Sequence, residues 1–237
     1  RQMCIRDRNE PWLWLFSDDD IMGPRCVEYF FNTIAIDNGA FDIYHFDVKI
    51  VDCENQIVRI PTVYPSVIDS ETFYRRKASA RLDSFVVEYI FLRDIYNCTG
   101  GFQHFDLAWG SDIATWVKIG ADKGIKTISG DYVYWRKSKK NITPNMDNKM
   151  VLRKLTADIE FTHWINEFFH KSSVYRFTKY AFFRLVVHYS QAISKSQIRL
   201  LLDKAVGKNI ISFNDAFIIN WTYRFIQLAK RVKDVLY

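Results

Sequence analysis

The sequence predicts an α/β fold in which helices flank a mixed sheet, followed by a C-terminal helical region. Patterns typical of strands and of helices succeed one another up to about residue 148, as in a sheet that is covered by helices. After Asn148 the hydrophobic pattern is helical to the end of the chain. We therefore expect two domains, one spanning residues 1–148 and the other 149–237.

The composition is that of a folded protein from a reducing compartment. Of the 237 residues, 49% are hydrophobic and 16% aromatic, which is ample for a core and argues against a disordered chain. The four cysteines, Cys4, Cys26, Cys53 and Cys98, lie far apart and form no CxxC pair. This spacing argues against a zinc ribbon or a disulfide scaffold, and it predicts a cytoplasmic location.

The first informative stretch joins a buried strand to three consecutive acids. Trp12–Phe16 is an apolar run that suits a fully buried strand, and it leads within one residue to Asp18, Asp19 and Asp20. Adjacent carboxylates repel one another unless a cation or a partner neutralises them. One interpretation is a divalent-metal site that holds a phosphate-bearing substrate at the carboxyl end of a strand. The alternative is a solvated acidic turn whose carboxylates cap the helix that begins near Pro24.

The chain that follows alternates between helix and strand patterns. His45 lies inside a strand pattern without a second His or Cys nearby, so we expect a hydrogen-bonded structural residue rather than a metal ligand. Residues 84–96 fit a helix or a strand equally well. The other predicted elements are a helix at 24–36, a hairpin of strands at 42–51 and 56–60, a loop at 61–70, and a strand pair or bent strand at 125–135.

The second informative stretch runs from residue 100 to residue 120. Gly100 and Gly101 open a flexible loop, and aromatic residues that include Trp109 offer surface on which sugar rings or bases stack. A helix follows, and Asp112 lies in its first turn, where the helix dipole favours an anion. Asp112 is interpreted either as a functional acid beside an aromatic platform or only as part of a helix cap.

A basic cluster follows the last strand pattern. It consists of Arg136, Lys137, Ser138, Lys139 and Lys140. A basic cluster at one strand end opposite an acidic cluster at another suits a metal-bound diphosphate, because the metal takes the acids and the bases meet the remaining phosphate charge.

The basic surplus of the chain belongs to its last third. Residues 151–237 hold 14 Lys and Arg against 6 Asp and Glu, whereas the net charge of the whole chain is +6. Such a region is either a solvated helix exterior or a surface that meets an anionic membrane or a phosphate-bearing partner. Nothing in the pattern points to nucleic acid as a partner.

Four helices are predicted in that last third, near 149–170, 174–192, 195–207 and 213–235. Aromatic residues recur in them at helical spacing, and we expect these stripes to be packing core rather than a cofactor site. The stripes are Phe161, Trp164 and Phe168; Phe182, Phe183, Val186 and Val187; and Phe217, Trp221 and Phe225.

Three motifs in order carry a resemblance to a known family. SDDD after an aromatic strand, GGF…DLAWGSDIATW, and DYVYWRKSKKNIT together resemble the bacterial family-2 glycosyltransferases over about residues 11–145. These are inverting enzymes of the GT-A fold that use nucleotide sugars. The resemblance implies sugar transfer from a nucleotide-sugar donor to a hydroxyl of a glycan or lipid-linked sugar, in the synthesis of cell-surface polysaccharide or another glycan.

The resemblance also implies roles for the donor side of the site. Asp18, Asp19 and Asp20 match the DxD-type motif, in which Asp18 and Asp19 face the donor and Asp20 binds Mn²⁺ or Mg²⁺. Carboxylate oxygens suit these hard cations. Arg136 matches the basic residue of the loop that closes over the diphosphate.

On the acceptor side, the resemblance assigns the general base to Asp112 and the lining of the acceptor site to Gly100, Gly101 and Trp109. The family's first nucleotide-binding strand–helix units would precede Trp12 and are missing, so the resemblance implies an N-terminally truncated chain and leaves open whether this chain is active by itself.

Two other functions are weighed against sugar transfer. A glycosidase would use Asp20 and Asp112 as a carboxylate pair, although three adjacent acids suit a cation better. A non-catalytic carbohydrate-binding or scaffold module would use the aromatic residues alone. For a glycosyltransferase, the location would be the cytoplasm or the inner face of the cell membrane.

Overall fold

The computed structural model describes residues 9–137, 145–170 and 173–236, with side chains up to residue 229. These residues fall into two compact units: one within Arg1–Gln103 and Asp112–Asn141, the other within His104–Ser111 and Ile142–Tyr237. Ser138, Lys139 and Lys140 of the predicted basic cluster lie outside the described residues. The predicted domain division at residue 148 stays a prediction.

The first unit contains a mixed seven-stranded sheet. Five strands run in the order β1-β6-β3-β7-β2, while β4 pairs with β3 and β5 with β7. Strands β3 and β7 are parallel, and every other pair is antiparallel. The strands are β1 (Trp12–Trp14), β2 (Ile21–Met22), β3 (Ile43–Val51), β4 (Ile57–Arg59), β5 (Val67–Ile68), β6 (Tyr89–Leu92) and β7 (Ile125–Arg136).

Four helices accompany this sheet, which makes the fold α/β with a mixed sheet and flanking helices, as the sequence predicts. Short 3₁₀ turns at Val86–Glu88 and Asp106–Ala108 precede β6 and the fourth helix. The helices are α1 (Cys26–Asp37), α2 (Ser70–Ala78), α3 (Arg93–Cys98) and α4 (Ser111–Ile119).

Two details of the sheet correct the predictions, and a third decides between two alternatives. The stretch Trp12–Phe16 is not a fully buried strand: β1 has three residues, pairs only with β6 among the described residues, and buries Leu13 alone. The predicted loop at 61–70 contains β5, which pairs with the start of β7. Residues 125–136 form one long strand whose pairing with β3 is irregular between Phe46 and Val48, which agrees with the predicted bent strand rather than the strand pair.

The prediction for His45 is confirmed. Its imidazole is fully buried in β3, with Nε2 2.9 Å from the Thr127 hydroxyl and Nδ1 3.1 Å from the Phe46 carbonyl. Burial lowers the pKa of His45 to about 3, so the ring is neutral. His45 is therefore part of the core.

The second unit is helical and matches the four predicted helices. Asp147 caps the first helix by accepting a hydrogen bond from the Met150 amide, and Ser194 caps the third in a reciprocal capping box with Gln197. The helices are α5 (Asn148–Phe168), α6 (Tyr175–Tyr189), α7 (Lys195–Gly207) and α8 (Phe213–Leu236). Among the described helices, none combines the length and the apolar character that crossing a bilayer requires.

One predicted core stripe is wrong. Phe182 and Val186 of α6 are buried, as expected, but Phe217, Trp221 and Phe225 of α8 are 72%, 62% and 60% exposed. The reason is that α8 is apolar on two faces. Its opposite face carries Ile219 and Tyr223, and these two side chains enter the core of the unit.

Candidate functional site

The sheet topology brings several functional candidates to one edge. Because β1, β3 and β7 all run in one direction, their carboxyl ends lie at the same edge of the sheet. Strands β2 and β6 run the other way, so their first residues lie at that edge too. Residues 15–20, which carry the acids, connect β1 to β2. These are the first and last strands of the order β1-β6-β3-β7-β2, so the connection crosses the ends of the strands between them. These three acids, Asp18, Asp19 and Asp20, are called the acidic run. The acidic run thus lies at the carboxyl ends of strands, where α/β sheets bind ligands.

Arg136 holds the acidic run at this edge through hydrogen bonds. Its backbone amide donates to Asp20 Oδ1 at 2.8 Å, and its Nε donates to the Asp19 carbonyl at 2.7 Å. The same guanidinium donates from Nη1 to the Asp52 carbonyl at 2.5 Å and from Nη2 to Asn55 Oδ1 at 2.6 Å. The structure therefore brings together Asp19, Asp20 and Arg136, and it adds the β3–β4 turn, which the sequence did not associate with the site.

The alternative in which the acids cap α1 is wrong. Arg25, the residue before α1, caps the helix with no side-chain hydrogen bond, and its backbone amide donates to Asp131 Oδ2 of β7 at 2.7 Å. Asp18 and Asp19 are exposed, and Ser17 donates to Asp19 Oδ1 at 2.8 Å. Asp19 and Asp20 are thus held by the end of β7 and by their own loop, and α1 has no side-chain cap.

The acidic run fits a cation only in combination with a ligand. Within the described ranges, no group of three or more His, Cys, Asp or Glu side chains could hold a metal ion by itself. Mg²⁺ and similar cations are commonly bound by one or two carboxylates together with substrate phosphate and water. Asp20, oriented by the Arg136 amide, offers this kind of donor, so the residues present fit a metal that arrives with a diphosphate.

Asp112 lies in the first turn of α4, as the sequence predicts. Burial raises the pKa of its carboxyl, and the charge of Lys77 on α2 acts in the opposite direction. The charge of Lys77 also acts on Glu88, the last residue before β6 at the edge described above. Both carboxyl groups therefore lie within electrostatic reach of one ammonium group, and the placement of the predicted base beside the acidic run stays a prediction.

Glu88 is a candidate that the sequence did not reveal. Its side chain is almost fully buried, and burial raises its pKa to about 8. Tyr64 Oη lies 2.7 Å from the Asp83 carbonyl, 3.0 Å from Tyr89 Oη and 3.2 Å from Glu88 Oε1. When the Tyr64 hydroxyl donates to Asp83, its oxygen can accept from a protonated Glu88, which agrees with a neutral carboxyl. Glu88 falls in the ambiguous stretch 84–96, where no pattern marked it.

The glycine loop lies beside α4. Gly100 and Gly101 both have positive φ, +81° and +72°. Lys118 Nζ donates to the Gly101 carbonyl at 2.8 Å, and Lys118 is six residues from Asp112, or about 9 Å along the helix axis. The role of these glycines in an acceptor site stays a prediction.

Trp109 belongs to the second unit and is anchored there. Its indole Nε1 donates to Asp158 Oδ1 at 3.1 Å, and the ammonium of Lys154 lies 5.8 Å from its ring centroid. Burial raises the pKa of Asp158 to about 6, although the bond from Trp109 opposes this shift. Trp109 is therefore held by α5, and its role in an acceptor site also stays a prediction.

The second unit has a pocket of its own. It has a volume of about 500 Å³ and lies between residues 104–106 and one side of α5. Phe105 and Trp164 supply aromatic surface, while His104, His163 and Glu167 supply polar groups. This combination of aromatic and polar groups is typical of small-molecule sites.

Comparisons with known proteins assign no family. No family model matches the chain, and no curated protein matches it. Among solved structures, Staphylococcus aureus TarS 1–349 in complex with UDP-GlcNAc is similar with a TM-score of 0.49 and 12% identity, covering 94% of this chain and 70% of that chain. A structure of S. aureus TarS is similar with a TM-score of 0.46 and 11% identity, covering 93% of this chain and 42% of that chain. A further structure of S. aureus TarS 1–349 is similar with a TM-score of 0.46 and 12% identity, covering 94% of this chain and 69% of that chain.

Proposed function

We propose that this chain is part of a metal-dependent, inverting glycosyltransferase that transfers a sugar from a nucleotide-sugar donor to a hydroxyl group of a glycan or lipid-linked sugar. The observation that carries the proposal is the attachment of the acidic run to Arg136 at the carboxyl edge of the sheet. The motif resemblance described above supports it. Synthesis of a cell-surface polysaccharide or another glycan is the process such a reaction would serve.

The donor side of the proposed site consists of Asp18, Asp19, Asp20 and Arg136. Bound Mn²⁺ or Mg²⁺ would neutralise the charge of the departing nucleoside diphosphate. Asp20 accepts a hydrogen bond from the Arg136 amide at one carboxylate oxygen, which orients the carboxyl group. Three guanidinium bonds to the chain fix the side chain of Arg136 as well, so its first task is to position the acidic run. A direct contact with the diphosphate is its second proposed task.

The acceptor side uses Asp112 as general base. Asp112 takes the proton of the acceptor hydroxyl while the acceptor oxygen forms a bond to the anomeric carbon. The bond between that carbon and the diphosphate oxygen breaks in the same displacement, and the electron pair leaves with the nucleoside diphosphate. One displacement from the opposite face inverts the configuration. A pKa raised by burial makes Asp112 a stronger base than an exposed aspartate.

The test is a transfer assay on the chain and on two matched variants. A panel of nucleotide sugars is incubated with Mn²⁺ and candidate oligosaccharide acceptors, and released nucleoside diphosphate is measured with and without chelator. Asp112→Asn should lower kcat by about 100-fold or more, since a positioned base contributes roughly that factor. Asp122→Asn, an exposed acid just beyond the same helix, is the control and should leave kcat unchanged.

Several outcomes would contradict the proposal. Transfer that Asp112→Asn retains would remove Asp112 as the base, and retention of configuration in the product would exclude a single displacement. Metal-independent hydrolysis of an aryl glycoside that needs both Asp20 and Asp112 would instead indicate a glycosidase.

A second candidate function follows from the pocket of the second unit. The aromatic and polar lining around Phe105 and Trp164 supports a non-catalytic carbohydrate-binding module. That function predicts glycan binding that Trp164→Ala weakens and that neither chelator nor Asp20→Asn changes. Metal-dependent turnover would decide against it.

A further inference from the structure

An apolar face of α8 points away from the core of the second unit. Phe217, Trp221, Phe225 and Leu228 follow one another at spacings of four, four and three residues, so they line one side of the helix. All four are exposed, Phe217 by 72%. We call these four residues the aromatic stripe. Exposed aromatic residues that adjoin on one helix face mark an interaction surface, because a folded chain rarely leaves such a patch in water.

Basic side chains border the aromatic stripe on both sides. On one side, a groove of about 300 Å³ is lined by Phe217 together with Arg199 and Arg224, and both arginines are exposed. The acid in this groove is Asp203. Arg199 comes from α7, so two helices contribute to this border.

On the other side, a second groove, of about 330 Å³, is lined by Ile218 of α8 and by Arg176, Lys179 and Tyr180 of α6. Lys179 forms an ion pair with Asp215, Nζ to Oδ1 at 2.9 Å, so the charge of that acid is balanced within the unit. Arg176 is exposed at the groove, and so is Tyr180. Each border therefore has more basic than acidic groups.

We propose that the aromatic stripe docks on the surface of a bilayer that contains anionic lipid. Trp and Phe enter the boundary between headgroups and acyl chains, while arginines beside them meet the lipid phosphates. The charge of the region agrees with this partner, since residues 151–237 hold 14 Lys and Arg against 6 Asp and Glu. The helix lies flat on the surface in this arrangement and does not cross the membrane.

This surface is separate from the proposed sugar-transfer site. The aromatic stripe and its basic borders belong to the second unit, whereas Asp20, Asp112 and Arg136 belong to the first. Membrane docking would place the chain where a lipid-linked acceptor lies, yet it requires no transfer activity. The two proposals therefore succeed or fail independently.

The test is sedimentation of the chain with vesicles of phosphatidylcholine alone and with vesicles of phosphatidylcholine and phosphatidylglycerol. The parent chain should bind the second kind only, and added salt should weaken binding. The double variant Phe217→Ser, Trp221→Ser should lose binding while keeping its circular dichroism, since both side chains are exposed. Arg199→Gln with Arg224→Gln should weaken binding about 30-fold.

Ile36→Ser is the matched control, because Ile36 is a large apolar residue that is 86% exposed on α1 of the other unit. It should bind vesicles like the parent. Binding that survives loss of the aromatic stripe would overturn the proposal, and so would a failure of the parent to bind. If the parent instead forms a dimer that Phe217→Ser, Trp221→Ser disrupts, and binds no vesicles, the stripe is an interface between copies of this chain.

Discussion

The backbone amide of Arg136 donates a hydrogen bond to Asp20 Oδ1 at 2.8 Å, across 116 positions of the sequence. This bond connects the loop between β1 and β2 to the last residue of β7. It orients the carboxylate that we propose as the metal ligand. The Arg136 side chain completes the connection through Asp19, Asp52 and Asn55, so one residue joins three segments of the chain.

This geometry predicts a measurable contribution of the Arg136 side chain to stability. Arg136→Lys keeps a positive charge but cannot reach three acceptors with the geometry of a guanidinium. The free energy of unfolding in urea should fall by about 1–2 kcal/mol, since the lost hydrogen bonds contribute of that order. Lys137→Ala, at an exposed neighbour, should change it by less than about 0.5 kcal/mol.

A double-mutant cycle with Asn55 tests the same connection. Asn55 has a φ of +65°, so glycine is the substitution that removes its side chain without adding backbone strain. The effects of Asn55→Gly and Arg136→Lys on the free energy of unfolding should be non-additive, because each substitution removes one partner of the same hydrogen bond. Strict additivity would show that the bond contributes nothing to stability.

Because burial raises the pKa of Glu88, we expect the stability of the fold to depend on pH. Its pKa in the folded state is raised from 4.5 to about 8, so the unfolded chain binds fewer protons between these values. Stability from this group is therefore present in full below pH 4.5 and falls as the pH rises towards 8. Glu88→Gln replaces this carboxyl by a group that cannot ionise, so the cost of keeping or ionising a buried carboxyl at high pH is removed. The free energy of unfolding at pH 8 should therefore rise by roughly 2–4 kcal/mol relative to the parent.

The measurement for Glu88 is urea unfolding at a series of pH values, on the parent and on two variants. Glu54→Gln, at an exposed position in the β3–β4 turn, is the control and should keep the slope of the parent. A parent-like slope in Glu88→Gln would mean that Glu88 does not hold its proton in the folded state.

The glycine loop gives a test of the predicted acceptor site. A methyl group added at Gly100 meets no atom within 4 Å, so Gly100→Ala adds backbone strain and fills open space beside the loop. If acceptor occupies that space, KM for an acceptor used by the parent should rise several-fold while donor hydrolysis is unchanged. Gly39→Ala, with a φ of +66° and equally open surroundings, controls for the strain. An unchanged KM would remove the loop from the acceptor site.

The sequence predicted the helices and the position of the acidic run after a strand, because both depend on local pattern. Asp18, Asp19 and Asp20 follow a strand at the edge where strands end, and the four C-terminal helices lie close to their predicted ranges. The role of the β3–β4 turn could not be predicted, since it depends on the register that sets Val51 beside Arg136.

Burial was harder to predict than secondary structure. Glu88 looks like any acid in the sequence, and only the fold surrounds it with Tyr64 and Tyr89. The stripe at Phe217 and Trp221 was expected in the core because helical spacing identifies an apolar face, not its partner. With two apolar faces on α8, the sequence offers no way to choose the one that packs.

The measurement that tests the central claim most directly is calorimetric titration of nucleoside diphosphates into the chain, with Mn²⁺ and with chelator. The same titration on Asp20→Asn separates the charge of the Asp20 carboxylate from its hydrogen bond, because an asparagine oxygen can still accept a hydrogen bond from the Arg136 amide. We predict binding that needs the metal and is lost in Asp20→Asn, while urea unfolding shows the fold intact. Binding that is indifferent to both metal and Asp20→Asn would contradict the claim that this edge of the sheet is a metal-diphosphate site.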